Sequence, residues 1–142
     1  MIQNQYSMEE LEYFVGVPIH LVHVIRNPFD NIKSLLKMKY GEIGCNLEDV
    51  TKYYFDKFDY IVNELGKKFP ITHISIDKLC NNSQYEIKRM VNDIGLDTRE
   101  DYISDCSDLV FDKPKSQDFR EEYRKSTVEY INSRMKEIEY LT

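Results

Sequence analysis

The sequence predicts an α/β fold in which an incomplete parallel sheet is flanked by helices. Two short apolar segments rich in β-branched residues, at 19–25 and 70–76, are typical of strands. Between and after them, apolar residues recur every three or four positions, which is typical of amphipathic helices. Strands that alternate with helices form βαβ units, whose crossover is right-handed. With only two clear strands, we expect a small sheet with an exposed edge.

Capping residues and glycines set the bounds of the predicted helices. Ser7 and Glu10 form a capping-box pattern that opens a short first helix. A long helix is expected to end with Gly66 at its C-terminal cap. After the first helix, the sequence predicts five more. One begins at Pro28, and the others cover 47–66, Asn82 or Ser83 to Gly95, Thr98 to Cys106, and 117–141. Residues 107–116 are expected to form a loop.

The strand at 19–25 is apolar on both faces apart from its histidines. This pattern favours a central strand of a parallel sheet with both faces covered. His20 and His23 are therefore expected to be packed core residues rather than catalytic groups. His73 lies on the second strand, and the sequence reveals no partner for it.

Composition indicates one ordinary globular domain, spanning residues 1–142. The chain is 42% hydrophobic and 31% charged, and its net charge of −6 argues against a general nucleic-acid binder. No segment is long and apolar enough to span a membrane, and no signal peptide is recognisable. The three cysteines have no metal-ligand or disulfide spacing, so we expect no metal site and a reducing, cytoplasmic environment.

The first strand leads directly into a helix start that could bind an anion. Asn27 is a good N-cap, Pro28 suits the first helical position, and Asp30 falls in the first turn. Arg26 is placed at the carboxyl end of the strand, where ligands bind in open α/β sheets. Ser34 shares a helix face with Asp30, and its hydroxyl is expected to point back toward Arg26. A phosphate site is one interpretation; the other is an Arg–acid pair with a solvated serine.

Arg26-Asn27-Pro28-x-Asp30-x-x-x-Ser34, placed after an apolar strand, resembles the 3′-phosphate-binding segment of sulfotransferases that use 3′-phosphoadenosine 5′-phosphosulfate (PAPS). The resemblance implies a three-layer, P-loop-NTPase-like parallel sheet. It also implies that Arg26 and Ser34 bind the 3′-phosphate of the nucleotide. PAPS would then be the co-substrate, and a hydroxyl or amine compound of unknown identity the acceptor.

Later elements follow the same order as in the family. The family's Tyr-Glu-Asp-Leu segment corresponds here to Ile76-Asp77-Lys78-Leu79, and its Leu-Gly-Leu segment corresponds to Ile94-Gly95-Leu96. Ile76 replaces a Tyr that helps to place adenine in the family. A loop before the last helix approaches the nucleotide in the family. Lys113 and Lys115 are candidates for that contact here, although solvated lysines are the alternative. The Arg-Lys-Gly of the animal cytosolic enzymes is absent.

The family's loop of the type Pro-Lys-Ser-Gly-Thr-Thr-Trp, which binds the 5′-phosphosulfate, has no counterpart in this sequence. We therefore expect a sulfotransferase-family chain that is inactive alone because this loop is missing, as a truncated copy or as one half of a split enzyme. A homo-oligomer or a missing N-terminal segment is the expected partner. The alternative is a non-catalytic remnant that keeps nucleotide binding or only a protein-interaction surface. An unrelated α/β domain is the third hypothesis.

Overall fold

The computed structural model describes residues 7–38, 46–110, 120 and 123–138. Within them the fold is mixed α/β and mostly helical, with one two-stranded parallel sheet. The elements in chain order are α1 (Met8–Val15), β1 (Leu21–Ile25), α2 (Pro28–Lys37), α3 (Leu47–Tyr60), a π-helical segment (Ile61–Leu65), α4 (Gly66–Lys68), β2 (Ile71–Ser75), α5 (Ile76–Asn81), α6 (Ser83–Asp93), α7 (Glu100–Asp108) and α8 (Lys125–Glu137).

The two strands pair in parallel, as the sequence predicts. The register runs from Leu21 opposite Ile71 to Ile25 opposite Ser75. Both strands lead directly into a helix, so the starts of α2 and α5 lie at the same end of the sheet.

The prediction that both faces of β1 are covered is wrong for the described residues. On one face, the His23 ring packs 5.2 Å from the ring of Phe58 in α3. On the other face, Val22 and Val24 are 44% and 55% exposed. On that face Thr72 of β2 contacts Asp93 of α6 and His20, which precedes β1; these contacts cover β2 and leave the valines of β1 open.

The long helix continues past the predicted end at Gly66. Gly66 has a helical φ of −65°, and its N–H donates to the carbonyl of Ile61, five residues earlier. This wider π turn joins α3 to α4, and the chain leaves the helix only at Phe69. Gly95, by contrast, ends α6 with a φ of +77°, the left-handed conformation predicted for it.

Within the part of the chain that the structure describes, two hydrophobic clusters stabilise the helices. We call the larger one the helical cluster; its buried members are Phe29, Ile32, Val50, Phe55, Tyr123 and Ile131. The smaller, the α6–α7 cluster, contains Ile87, Val91 and Ile103. In the helical cluster the hydroxyl of Tyr123 donates to the carbonyl of Phe29 over 2.8 Å. That bond joins the chain just before α8 to the first turn of α2.

Several predicted helix bounds need correction. Residues 76–81 form α5, whereas the sequence pattern assigned Ile76 to a strand end. Arg99 rather than Thr98 precedes α7, and Asn82 precedes α6 without a side-chain cap. The last helix begins at Lys125 instead of 117, because Arg124 has an extended backbone. The predicted segments at 117–119, 121–122 and 139–141 lie outside the described residues.

Candidate phosphate site at the carboxyl end of β1

The structure confirms the predicted passage from strand to helix. Arg26 follows Ile25, the last residue of β1, and α2 begins two residues later at Pro28. The Asn27 side chain accepts a hydrogen bond from the N–H of Phe29 over 3.0 Å, so it is the N-cap. This geometry places the positive end of the α2 dipole beside Arg26.

Arg26 and Asp30 form an ion pair within this turn. Arg26 Nη2 lies 3.4 Å from Asp30 Oδ2, and only 3% of the Asp30 side chain is exposed. The Arg26 side chain is 36% exposed, so a solute can reach it. The pairing that the sequence offered as the alternative to a phosphate site is therefore present. A guanidinium has several donors in a planar fork, however, so a pair with one carboxylate is compatible with binding a phosphate as well.

Ser34 lies one helical turn beyond Asp30 and is exposed. Its carbonyl accepts the N–H of Met38, which ends α2. Asp30 lies between Arg26 and Ser34 in sequence, so a phosphate bound by both would have to span the position of Asp30. The joint role of Arg26 and Ser34 stays a prediction. Lys113 and Lys115, the other candidates, lie outside the described residues.

A second polar site, at the outer edge of β2, was not predicted from the sequence. A cavity of about 320 Å³ lies at this edge and is lined by residues of β2, α5 and α6. Arg89 lines the cavity and donates through Nη2 to the carbonyl of His73 and to Glu86 Oε2, each over 2.7 Å. Its Nη1 donates to Asp93 over 3.2 Å. The Glu86 bond raises the pKa of Arg89, and the two carboxylates neutralise it, so this cavity does not favour a phosphate.

The spacing of these three residues was the signal that could have revealed the cluster. Arg89 lies three residues after Glu86 and four before Asp93, so all three share one face of a helix. We call this arrangement the Arg89 clamp.

The histidines are packed, as predicted, and His73 gains a partner. His23 Nδ1 and His73 Nδ1 lie 3.1 Å apart across the strand pair. Burial, followed by the proximity of His73, lowers the pKa of His23 to about 4. Burial and the nearby Arg89 also lower the pKa of His73. Both rings are therefore neutral near pH 7, and one donates to the other. His20 Nε2 lies 2.9 Å from Thr72 Oγ1.

The part of the chain that the structure describes contains no group of three or more His, Cys, Asp or Glu residues placed to hold a metal ion. Cys80 and Cys106 are free thiols, and Cys45 lies outside the described residues. None of the described helices is long and apolar enough to cross a membrane.

Comparison of the chain with protein-family models, curated proteins and solved structures gives no match.

Proposed function

We propose that this chain is a nucleotide-binding member of the PAPS-dependent sulfotransferase family, in which Arg26 and Ser34 hold the 3′-phosphate. The observation that carries the proposal is the position of Arg26 between the carboxyl end of β1 and the capped start of α2. Phosphates are commonly bound at such a helix start, because its N–H groups and dipole favour negative charge. The three-layer sheet of that family is part of the proposal, and the parallel strand pair is compatible with it.

Each proposed contact has a distinct chemical role. The Arg26 guanidinium donates charge-assisted hydrogen bonds to two phosphate oxygens, and the Ser34 hydroxyl donates one more. Asp30 is a positioning residue, because its buried carboxylate holds the guanidinium beside the helix start before the nucleotide arrives. The negative charge of Asp30 is balanced by Arg26, which limits repulsion of the incoming phosphate.

Sulfuryl transfer would break the bond between the sulfur and the 5′-phosphate oxygen and form a bond to an acceptor oxygen or nitrogen. Charge stabilisation on the leaving phosphate belongs in the family to a loop that this sequence does not contain. We therefore assign these residues to binding, and expect no useful turnover of PAPS by the 142-residue chain alone.

Calorimetry with 3′-phosphoadenosine 5′-phosphate (PAP) tests the assignment. A charge-assisted hydrogen bond contributes about 1.5–3 kcal/mol, so Arg26→Ala should weaken PAP binding by about one to two decades. Ser34→Ala should weaken it less. Arg124→Ala is the matched control, because Arg124 forms an exposed ion pair with Glu48 outside the site.

Adenosine 5′-phosphate, which lacks the 3′-phosphate, makes the test specific for that group. The wild-type protein should bind PAP more tightly than adenosine 5′-phosphate, and Arg26→Ala should remove most of the difference. Equal PAP affinities of the wild-type protein and Arg26→Ala would show that the site is wrongly placed.

A further inference from the structure

The two edges of the sheet differ in how their backbone groups are satisfied. In a parallel pair, alternate residues of a strand direct their N–H and C=O groups to opposite edges. The N–H of Leu21 donates to the carbonyl of Pro70 over 2.9 Å, so Leu21, His23 and Ile25 face β2. Val22 and Val24 therefore direct their backbone groups to the outer edge of β1. In the described residues, no other strand joins the sheet there.

The outer edge of β2, by contrast, is covered by the Arg89 clamp. Arg89 donates to the carbonyl of His73, which points away from β1. A charged side chain placed across a strand edge prevents another strand from pairing there. As far as the described residues show, strand addition to this sheet is thus blocked at β2 and open at β1.

The open edge belongs to an unusual stretch of the sequence. Residues 13–25 contain no Asp, Glu, Lys or Arg, although 31% of the chain is charged. Solvent-exposed edges of natural sheets normally carry charges that oppose association. The exposed apolar side chains of this stretch are Tyr13, Phe14, Val15, Val17, Val22 and Val24. An uncharged, apolar edge is typical of a strand that pairs with another strand.

The sequence of β1 is nearly palindromic, which indicates what can pair with it. Leu21-Val22-His23-Val24-Ile25 presents the same residue types in both directions. In an antiparallel pair about a two-fold axis at His23, Val22 lies opposite Val24 of the partner subunit, and Leu21 lies opposite Ile25 of the partner subunit. Val22 and Val24 both direct their backbone groups to this edge, so they form hydrogen-bonded pairs in that register.

We propose that the open edge of β1 pairs with β1 of a second copy of this chain, antiparallel, to give a four-stranded sheet. The interface is isologous, because the same strand contributes to both sides. Each copy has a net charge of −6, but β1 itself contains no charged residue. The paired strands therefore place no like charges opposite one another. Four strands also form a more stable sheet than two, because an isolated two-stranded pair is marginal in water.

Charge complementation tests both the partner and the register. Val22→Lys/Val24→Lys places lysines opposite each other in the proposed pair, and Val22→Glu/Val24→Glu does the same with glutamates. Each double variant should raise the dimer dissociation constant at least about tenfold in sedimentation equilibrium. An equal mixture of the two should form a heterodimer, because Lys then faces Glu. Tyr85→Lys/Leu109→Lys, at exposed positions on α6 and after α7, is the matched control and should leave dimerisation unchanged.

Hydrogen exchange of the wild-type protein provides a readout that needs no variant. The amides of Val22 and Val24 should exchange more slowly as the protein concentration rises, whereas the amide of Tyr85 should not change. A wild-type monomer at millimolar concentration would overturn the proposal. Undiminished dimerisation of folded Lys and Glu variants, checked by circular dichroism, would also overturn it, because the contact would then lie elsewhere.

Discussion

The helical cluster and the β2–α6 side of the molecule are stabilised by different interactions. The helical cluster joins α2, α3 and α8 mainly through apolar side chains such as Phe29, Ile32 and Ile131. On the β2–α6 side, the Arg89 clamp and the His23–His73 pair hold the strand through hydrogen bonds and charge. The stability of the helical cluster depends on the volume of its buried side chains, whereas that of the polar side depends on donors and acceptors that must all be paired. Mutations should therefore destabilise the first by removing volume and the second by removing a hydrogen-bond partner.

The largest effect is expected in the helical cluster. Ile32 is completely buried, so Ile32→Ala should lower the free energy of unfolding by about 2–5 kcal/mol. Ile87→Ala, in the α6–α7 cluster, should cost less, because that cluster has three buried members among the described residues and its site can collapse more readily. Urea unfolding followed by circular dichroism measures both. Equal losses would show that the two clusters are packed equally tightly.

Removing the Arg89 clamp should have an intermediate effect. Arg89→Met keeps much of the side-chain volume but leaves Glu86 and the His73 carbonyl without their donor, which should cost about 1–3 kcal/mol. Arg99→Met is the control, because Arg99 pairs with Asp101 at an exposed position. The control should change the free energy of unfolding by less than about 1 kcal/mol. A comparable loss in both variants would argue that the clamp contributes no more than a surface ion pair.

Over the first pH unit below neutrality, the smallest effect is a dependence on pH that the polar side should show. The folded-state pKa of His23 is about 4 and its ordinary value is 6.5, so the unfolded chain binds the proton more readily. The free energy of unfolding is unaffected by this group above pH 6.5 and falls as the pH decreases toward 4. The slope is at most about 1.4 kcal/mol per pH unit for one proton.

His23→Phe should reduce that slope, because it removes the titrating ring while keeping an aromatic contact with Phe58. Among the described residues, Arg89 lies beside His73, and Lys57 lines the same small cavity as His23. Both are cationic and oppose protonation. Lys78 and the carboxylates of Glu86 and Asp93 line the cavity beside His73. Urea unfolding at pH 7, 6 and 5 measures the slope, and an unchanged slope in His23→Phe would assign it to other groups.

The features predicted correctly from the sequence are those that depend on local chemistry. Asn27 caps α2 because its side chain reaches the N–H of Phe29, two residues away. Gly95 ends α6 because it alone among nearby residues adopts a left-handed backbone without strain. The parallel pairing of β1 and β2 follows from the helical crossover between them, since parallel strands need such a connection.

The features that were missed depend on the path of the backbone and on how the elements pack. Gly66 remains helical because the π turn before it carries the chain on to Phe69, whereas a glycine at a helix end usually adopts the left-handed conformation. The exposure of Val22 and Val24 depends on where α6 packs, and no local pattern encodes that position. At the candidate site, the Arg26–Asp30 pair was foreseen as one interpretation, but its burial was not.

The parallel pairing of β1 and β2 also determines the order in which the chain can fold. His23 and His73 are 50 residues apart in sequence, so the ends of a long segment must meet before the sheet forms. Closing a flexible loop of that length is entropically costly, and contacts of this range slow folding. Prior formation of α2 and α3 shortens the segment that remains to be ordered. We therefore expect the helices to fold first, and β1, with its uncharged edge, to stay without a partner until the closure step of folding.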